Sequence, residues 1–361
     1  MKSRTFFFIA ASALFGFSTL GAQSLGSISS LKGRVSIQSG SEAAKPAAVK
    51  HEVKEGDYIT TLADSEAVIT LSTGTVMKVG ADTRMKINKS TVKSGDGNQF
   101  SVGLTRGSLS AKVSKLKTAS DSFNVYTPTS VAGVRGTDFS VAAGIDGSTR
   151  VQVAEGEVQA GRGENKTSLK EKQGTEVGLA EKPVVAKSGS EDLSAWVAKN
   201  DKKAKENPEK TLAGMQAYID KSAQSATSTA SKTEGIASSE TSITNKEQLK
   251  SQISSAQAAN AELNFNQVVA EGILVNAQAV AGSAPEGKAK ELLSGVERIA
   301  KAFDDANARI EAALARLDAR LAAARKRIDD SWKGADQRIN KSMQDDRFKK
   351  FDEKYDKSKK K

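Results

Sequence analysis

The sequence predicts two unlike halves. The first is all-β, built as a β-solenoid-like roll or a twisted β-sandwich, and the second is an all-α helical hairpin or coiled coil. Three observations carry that division. Residues 27–179 are strand-length alternations of polar and apolar residues punctuated by glycine, with no helical period. Beyond Leu179 the apolar spacing becomes three and four, which places those residues on one helix face. Helix-starting signals, Asn207-Pro208 and Thr244-Asn245-Lys246-Glu247, occur only in this second part.

The chain opens with Lys2 and Arg4, then an uncharged stretch from Thr5 to Leu20 that ends at Leu20-Gly21-Ala22. This is the layout of a secretory signal peptide over residues 1–22, with cleavage expected after Ala22 although Leu20 replaces the usual small residue. A retained signal anchor is the rival, for which the apolar stretch is short. Cysteine is absent, which excludes disulfides, thiolate nucleophiles, sulfur-bound metals and an N-terminal lipid anchor. The expected location is the periplasm or cell envelope. A net charge of +11 favours anionic company such as lipid headgroups or envelope polymers, and export makes nucleic acid the least expected partner.

Within residues 27–179, three segments share one local form. Leu31-Lys32-Gly33-Arg34-Val35, Thr105-Arg106-Gly107-Ser108-Leu109 and Ala154-Glu155-Gly156-Glu157-Val158 each place a charged residue before a glycine. That glycine is free to take positive φ, and the next strand turns alternate apolar residues inward. The echo predicts similar stacked β-turn units. Further on, Asp138 to Val141 and Thr149 to Val153 alternate around Ile145-Asp146-Gly147-Ser148, a hairpin whose Asp-Gly pair predicts a tight two-residue turn. Thr127-Pro128 forces extended backbone just upstream, and Gly133 and Gly136 bracket a bend at Val134-Arg135.

Two blocks of these residues, in order, resemble the FecR domain. The later one is Thr127-Pro128, Val134-Arg135-Gly136-Thr137 with Phe139, the Asp-Gly turn, and Val151, Val153, Glu155-Gly156 and Val158. The earlier one is Glu55-Gly56-Asp57 with Ile59 and Thr61, then Ala67, Ile69 and Leu71, Gly74-Thr75-Val76, and Met85 with Ile87. The resemblance covers roughly Ser27 to Leu179 and implies an extracytoplasmic all-β, β-solenoid-like module. It also implies a kinship with regulators that relay outer-membrane receptor state to sigma factors.

Candidate functional residues are few. Arg135, Gly136 and Thr137 form a loop in which the guanidinium either bonds loop carbonyls or Asp138, or is presented for recognition. Asp57 reads as a turn residue bonding its own backbone. His51, the single histidine, shares parity with inward valines, and a lone imidazole makes neither a metal site nor a triad. Ser90-Thr91-Val92-Lys93 and Ser114-Lys115-Leu116-Lys117 match a Ser-x-x-Lys pattern without the helix it requires. No paired-carboxylate, phosphate-loop or metal-ligand constellation emerges, so neither an enzyme nor a cofactor is predicted.

Residues 180–243 read as a linker, Glu181 to Ser190, then two short helices, then a Ser/Thr/Ala-rich flexible tether from Lys221 to Ser242. Leu193, Trp196 and Val197 share one face of the first helix, with Trp196 a docking anchor against the β domain. Leu212, Met215 and Ile219 share a face of the second. Residues 244–345 form the hairpin. Its first helix starts at a Thr244 capping box, carries Leu249, Ile253, Ala256, Leu263, Val268 and Val275, and ends near Gly282.

A second capping box at Ser283-Ala284-Pro285-Glu286 starts the return helix, about 90 Å long at 1.5 Å per residue. Its seam is Phe303, Ile310, Leu314, Leu317, Leu321 and Ile328, continued by Trp332 and Ile339. The distal part is expected either to pair with a second copy or another envelope protein, or to stand alone in water. Phe348, Phe351 and Tyr355 among lysines make residues 346–361 a basic tail suited to anionic lipid or polymer.

The leading expectation is therefore a non-enzymatic exported envelope protein, a FecR-like binding or scaffold module with a helical arm for oligomerisation or partner contact. The alternative is a FecR-type signalling regulator. Only four residues precede the hydrophobic stretch, so no segment able to meet a sigma factor is expected ahead of it. An enzyme acting on cell-wall polymer is a third reading, supported only by compartment and charge.

Overall fold

A computed structural model describes residues 24–88, 99–115, 118, 121–163, 165–179, 181–187, 192–239, 242–284 and 287–344. The proposed signal peptide, the basic tail, Ser90 to Lys93, Pro285 and Glu286 lie outside the described residues. The strands are β1 (Ser24–Lys32), β2 (Val35–Ser39), β3 (Lys45–Pro46), β4 (Glu52–Lys54), β5 (Asp57–Thr61), β6 (Glu66–Leu71), β7 (Val76–Val79), β8 (Arg84–Ile87) and β9 (Gln99–Lys112). They continue as β10 (Ser122–Tyr126), β11 (Val131–Val134), β12 (Asp138–Ala143), β13 (Thr149–Glu155), β14 (Glu157–Arg162), β15 (Asn165–Lys170), β16 (Gln173–Val177) and β17 (Ala186–Lys187). The helices are α1 (Leu193–Glu206), α2 (Pro208–Ser238), α3 (Lys246–Ala281) and α4 (Lys288–Gln344).

One layer runs β4-β1-β6-β7-β9-β12-β13-β16-β17. The other runs β3-β2-β5-β8-β9-β10-β11-β14-β15. The long strand β9 belongs to both. It bends at Gly107, whose φ of 95° is open to glycine and strained for other residues. Inward residues of both layers, among them Ile28, Ile69, Met77 and Phe139 facing Ile59, Met85, Val102 and Val125, form one buried core. The strand-rich first half is thus two hydrogen-bonded layers around a common core. Among the described strands every ladder except β9 with β10 is antiparallel, so the parallel coils that a solenoid stacks are not formed.

The three glycine segments are corners at which the chain changes layer. Gly33, Gly107 and Gly156 all have φ between 75° and 95°. Each lies against the hydroxyl residue of a neighbouring corner: a Cβ would fall 2.9 Å from Cα of Ser65, 2.5 Å from Cα of Thr83 and 3.3 Å from Cα of Thr137, respectively. The hydroxyls bind the adjacent backbone. Ser65 Oγ accepts from Arg34 N at 2.8 Å, Thr83 Oγ1 accepts from Ser108 N at 3.0 Å, and Thr137 Oγ1 donates to Glu157 O at 2.9 Å.

The hairpin between β12 and β13 forms where expected, with a different turn. Gly147 N donates to Gly144 O and Gly144 N to Ser148 O. Only Gly147, at φ 83°, is left-handed, so the loop is longer than a two-residue turn. Asp146 remains on the right-handed side because its Oδ1 accepts from Ser148 N and Oγ. The expected linker also contributes structure, since Ala186 and Lys187 pair with Gly174 and Gln173 at the sheet edge.

The helical half departs most from expectation. Trp196 does anchor α1, packing with Leu193 and Val197 on Ala142 while Nε1 donates to Glu176 at 3.0 Å. The expected tether is instead helix: α2 runs unbroken to Ser238. Ser222, Ala226, Ala230 and Thr233 are buried at helical spacing, and such small side chains let a neighbouring helix come close. Hydroxyls of Thr227, Thr233 and Ser238 bond carbonyls one turn back, which satisfies them inside the helix.

The cap of α3 shifts by one residue. Asn245 Oδ1 accepts from Gln248 N, and Gln248 Oε1 accepts from Thr244 N. Asn207 precedes α2 without a side-chain cap.

The return helix is not a trailing arm. Phe303 packs with Met215, Ile219 and Val269, and Ile310, Leu314, Leu317, Leu321 and Ile328 pack with Ala230, Leu249, Ile253 and Leu263. Its seam is filled by α2 and α3 as far as Ile328. Arg309 grips Glu234 at 3.0 and 2.7 Å, and Arg320 Nη1 binds the carbonyls of Ile236, Ala237 and Ser239 at the negative end of α2. Beyond Ile328, Trp332 and Ile339 are more than half exposed, and Val275 on α3 is exposed as well. Among the described residues no helix is long and apolar enough to cross a membrane.

Candidate functional site

The most elaborated surface is the junction between the β domain and the helices. Strand alternation turns Arg84 and Arg106 away from the core, and the two stand opposite each other on β8 and β9. Two like charges so placed repel unless each meets a carboxylate. Both do. Arg84 Nε donates to Glu271 of α3 at 3.0 Å, and Arg106 Nη2 donates to Asp201 of α1 at 2.5 Å. A third pair joins Arg162 at the end of β14 to Glu262 of α3 at 2.5 Å, with the guanidinium 4.1 Å from the Phe265 ring centre.

Each pair carries further contacts. Tyr58 Oη donates to Glu271 at 2.9 Å, and Arg84 lies over the Tyr58 ring. Burial, then the Glu271 charge, pushes the Tyr58 phenol well above its usual range, so it stays a donor. Asp201 also accepts from Ile145 N at 3.0 Å and thereby pins the hairpin turn to α1.

Between these charged flanks the strip Asn264, Val268, Gly272 and Asn276 of α3 lies on β9. A Cβ on Gly103 would overlap Val268, and Gly272 meets Thr105 and Pro128. Asn276 Nδ2 donates to Thr105 O and Gly144 O. Helix geometry puts Glu262 and Glu271 on either side of that strip. In these three pairs the sheet supplies the cations and the helices the carboxylates. Beside Arg162 and Tyr218, a cleft of about 900 Å³ opens between the end of the sheet and α2.

The predicted loop sits elsewhere, at a layer-changing corner. Arg135 is exposed and donates to Thr118 O at 3.0 Å, Gly136 has φ 70°, and buried Thr137 holds Glu157 O. Asp57 acts as read, accepting from Lys54 N at 2.8 Å and from Ser39 Oγ at 2.6 Å. His51 is half-buried. Sequence reasoning missed all six charged residues of the junction. The available signal was arginine at outward strand positions, which does not by itself name a helical partner.

Comparison with known proteins bears on the β domain. The family model described as FecR protein matches residues 57–159. No curated protein matches the chain. Two crystal structures of a candidate anti-sigma factor from Parabacteroides distasonis are each 22% identical, with a TM-score of 0.32. The match covers 38% of this chain and 63% of that one, so this chain spans under two thirds of its length. The chain therefore carries a FecR domain at residues 57–159, set inside a strand-rich half that extends past it on both sides.

Proposed function

We propose that this chain is a non-enzymatic FecR-type signalling regulator of the cell envelope, which acts by binding and passes the state of its β domain to its helices. The family match over residues 57–159 is the observation that carries this reading, and it favours a regulator over a passive scaffold. The junction supports it, because three arginine–carboxylate pairs on a partly exposed surface form a contact that a ligand or partner is able to loosen without unfolding either half. Export belongs to the proposal and rests on the pattern of residues 1–22.

The test is transcript profiling of the native cell, comparing wild type, a gene deletion and an Arg84→Glu variant, which places like charge against Glu271. The expected result is a change confined to a small group of operons that share one alternative sigma factor. Unaltered transcripts in both mutants, with the variant protein stably present, contradict it. A scaffold that meets a second copy or another envelope protein is the second reading, favoured by Trp332 and Ile339, which stand more than half exposed on the distal part of α4.

A further inference from the structure

Apolar burial in the helical half falls into two clusters. The proximal one takes in Ala226 of α2, Val269 of α3, and Phe303 and Ala306 of α4, and runs on into the β domain through Tyr126 and Ile145. The distal one takes in Ala230 of α2, Leu249, Ile253 and Leu263 of α3, and Ile310 to Ile328 of α4, and among the described residues it includes none from the β domain. The boundary lies between Ala226 and Ala230 on α2 and between Ala306 and Ile310 on α4. On α3 it lies just past Leu263.

Two asparagines occupy that boundary. Asn266 comes three positions after Leu263 and four before Ala270, so it stands in the stripe that α3 turns toward the other helices. Asn307 stands likewise between Phe303 and Ile310 in the stripe of α4. Asn266 is 0% exposed and Asn307 6%. Neither Nδ2 nor Oδ1 of Asn266 has a partner, and neither has Oδ1 of Asn307. Asn264 and Asn276, on the sheet side of α3, differ, since they bond Ser101 Oγ and two sheet carbonyls. Asparagine is also a poor helix former, so neither propensity nor hydrogen bonding accounts for Asn266. A buried amide left unpaired weakens the packing in which it sits.

We propose that this polar layer divides the helical half into two cooperative units, so that the distal unit opens as a whole while the proximal unit stays docked on β9. Contiguous apolar contact is what makes neighbouring segments open together, and a unit with less of it opens at lower free energy. Asn266 and Asn307 interrupt that contact on two facing helices. Opening uncovers Leu314, Leu317 and Leu321 without disturbing the α3 strip that rests on the sheet. The partly exposed pair of Arg309 and Glu234, together with Arg320 on the end of α2, holds the unit closed. The proposal goes beyond the regulator reading and does not depend on it.

The test is hydrogen exchange of the purified full-length chain in low denaturant, read along the helices. Amides of Leu249 to Leu263 and of Ile310 to Ile328 are expected to share one opening. That opening should leave them slower than an unfolded chain and at least tenfold faster than Val269 to Val280 and Val296 to Ala306. Asn266→Leu is expected to slow the distal group at least tenfold, about 1.4 kcal/mol, since a leucine, branched at the same atom, removes the unpaired amide and joins the clusters. Asn307→Leu is expected to act in the same direction and decides the matter if the first variant does not fold. One rate throughout both groups, rates that climb residue by residue toward the helix ends, or folded variants with unchanged distal exchange overturn the proposal. The transcript readout above is unaffected by any of these results.

Discussion

Glu271 on α3 and Arg84 on β8 stand 2.9 Å apart, although 187 positions separate them in the chain. Tyr58 from the adjacent strand completes the site, so one carboxylate ties two strands of the β domain to the helix that crosses them. Glu271→Gln is expected to lower stability by about 1–2 kcal/mol, since it removes charge from two hydrogen bonds in a partly exposed pair. Denaturant unfolding of the single variants and of Glu271→Gln with Arg84→Met measures the coupling. Additive losses refute a direct interaction.

Asp201 is buried more deeply and serves two donors, Arg106 and Ile145 N. Asp201→Ala is therefore expected to cost more than Glu271→Gln, about 2–3 kcal/mol, because it leaves both the half-buried Arg106 guanidinium and the buried Ile145 amide without their acceptor. The same denaturant curves decide the order of the two effects.

Corner glycines separate conformation from space. Gly107→Ala combines φ of 95° with a Cβ 2.5 Å from Thr83 Cα, and is expected to cost about 3 kcal/mol or more. Gly163, at φ 56° with open space around it, is the control, expected to lose about 1 kcal/mol on the same change. Comparable losses at both positions contradict the packing of the corner against Thr83.

Much of the β half was legible because its rule is local. Strand alternation and glycine placement are read one segment at a time, which is why the three corners, the Asp57 turn and the hairpin position emerged from residues alone. The turn type did not, since Asp146 spends its carboxylate on Ser148 and so avoids the left-handed region. In the helical half the rule is not local. Ser222, Ala226, Ala230 and Thr233 resemble a solvated tether until α4 is brought across them, with Phe303 and Ala306 beside Ala226 and Ile310 and Leu314 beside Ala230. Likewise α3 shows no single apolar face because it is covered on two sides, by the sheet and by the other helices. The junction arginines were visible as residues, and their carboxylates lay too far along the chain to be assigned.

Ala226→Leu is expected to cost about 1–3 kcal/mol by forcing α2 away from its neighbours, whereas Ser228→Ala on the exposed side is expected to be neutral or slightly stabilising. Hydrogen exchange read along α2 distinguishes the two. Fast exchange throughout Lys221 to Ser238 in the unmodified chain contradicts a packed helix.

Acid is expected to weaken the contact between α2 and α4. The hydrogen bond from Arg309, with its charge, holds the Glu234 carboxyl below its ordinary value of 4.5. A folded value below the unfolded one means the pair contributes above pH 4.5, and that contribution is lost as pH falls through the lowered value. The difference in melting temperature between wild type and Glu234→Gln is expected at pH 7 and should shrink steadily in more acidic buffer. A difference that persists unchanged at low pH contradicts the assignment.

The docking of α3 on the β domain is most directly tested by a covalent bond across the interface. The natural chain contains no cysteine, and a Cβ placed on Gly103 lies 3.8 Å from Val268 Cβ, the mean separation in disulfides. A Gly103→Cys, Val268→Cys double variant is expected to close this bond in air, read as loss of two hydrogens by intact mass and faster migration on a non-reducing gel. Two thiols that stay free in folded, oxidised protein would show that α3 does not rest on β9.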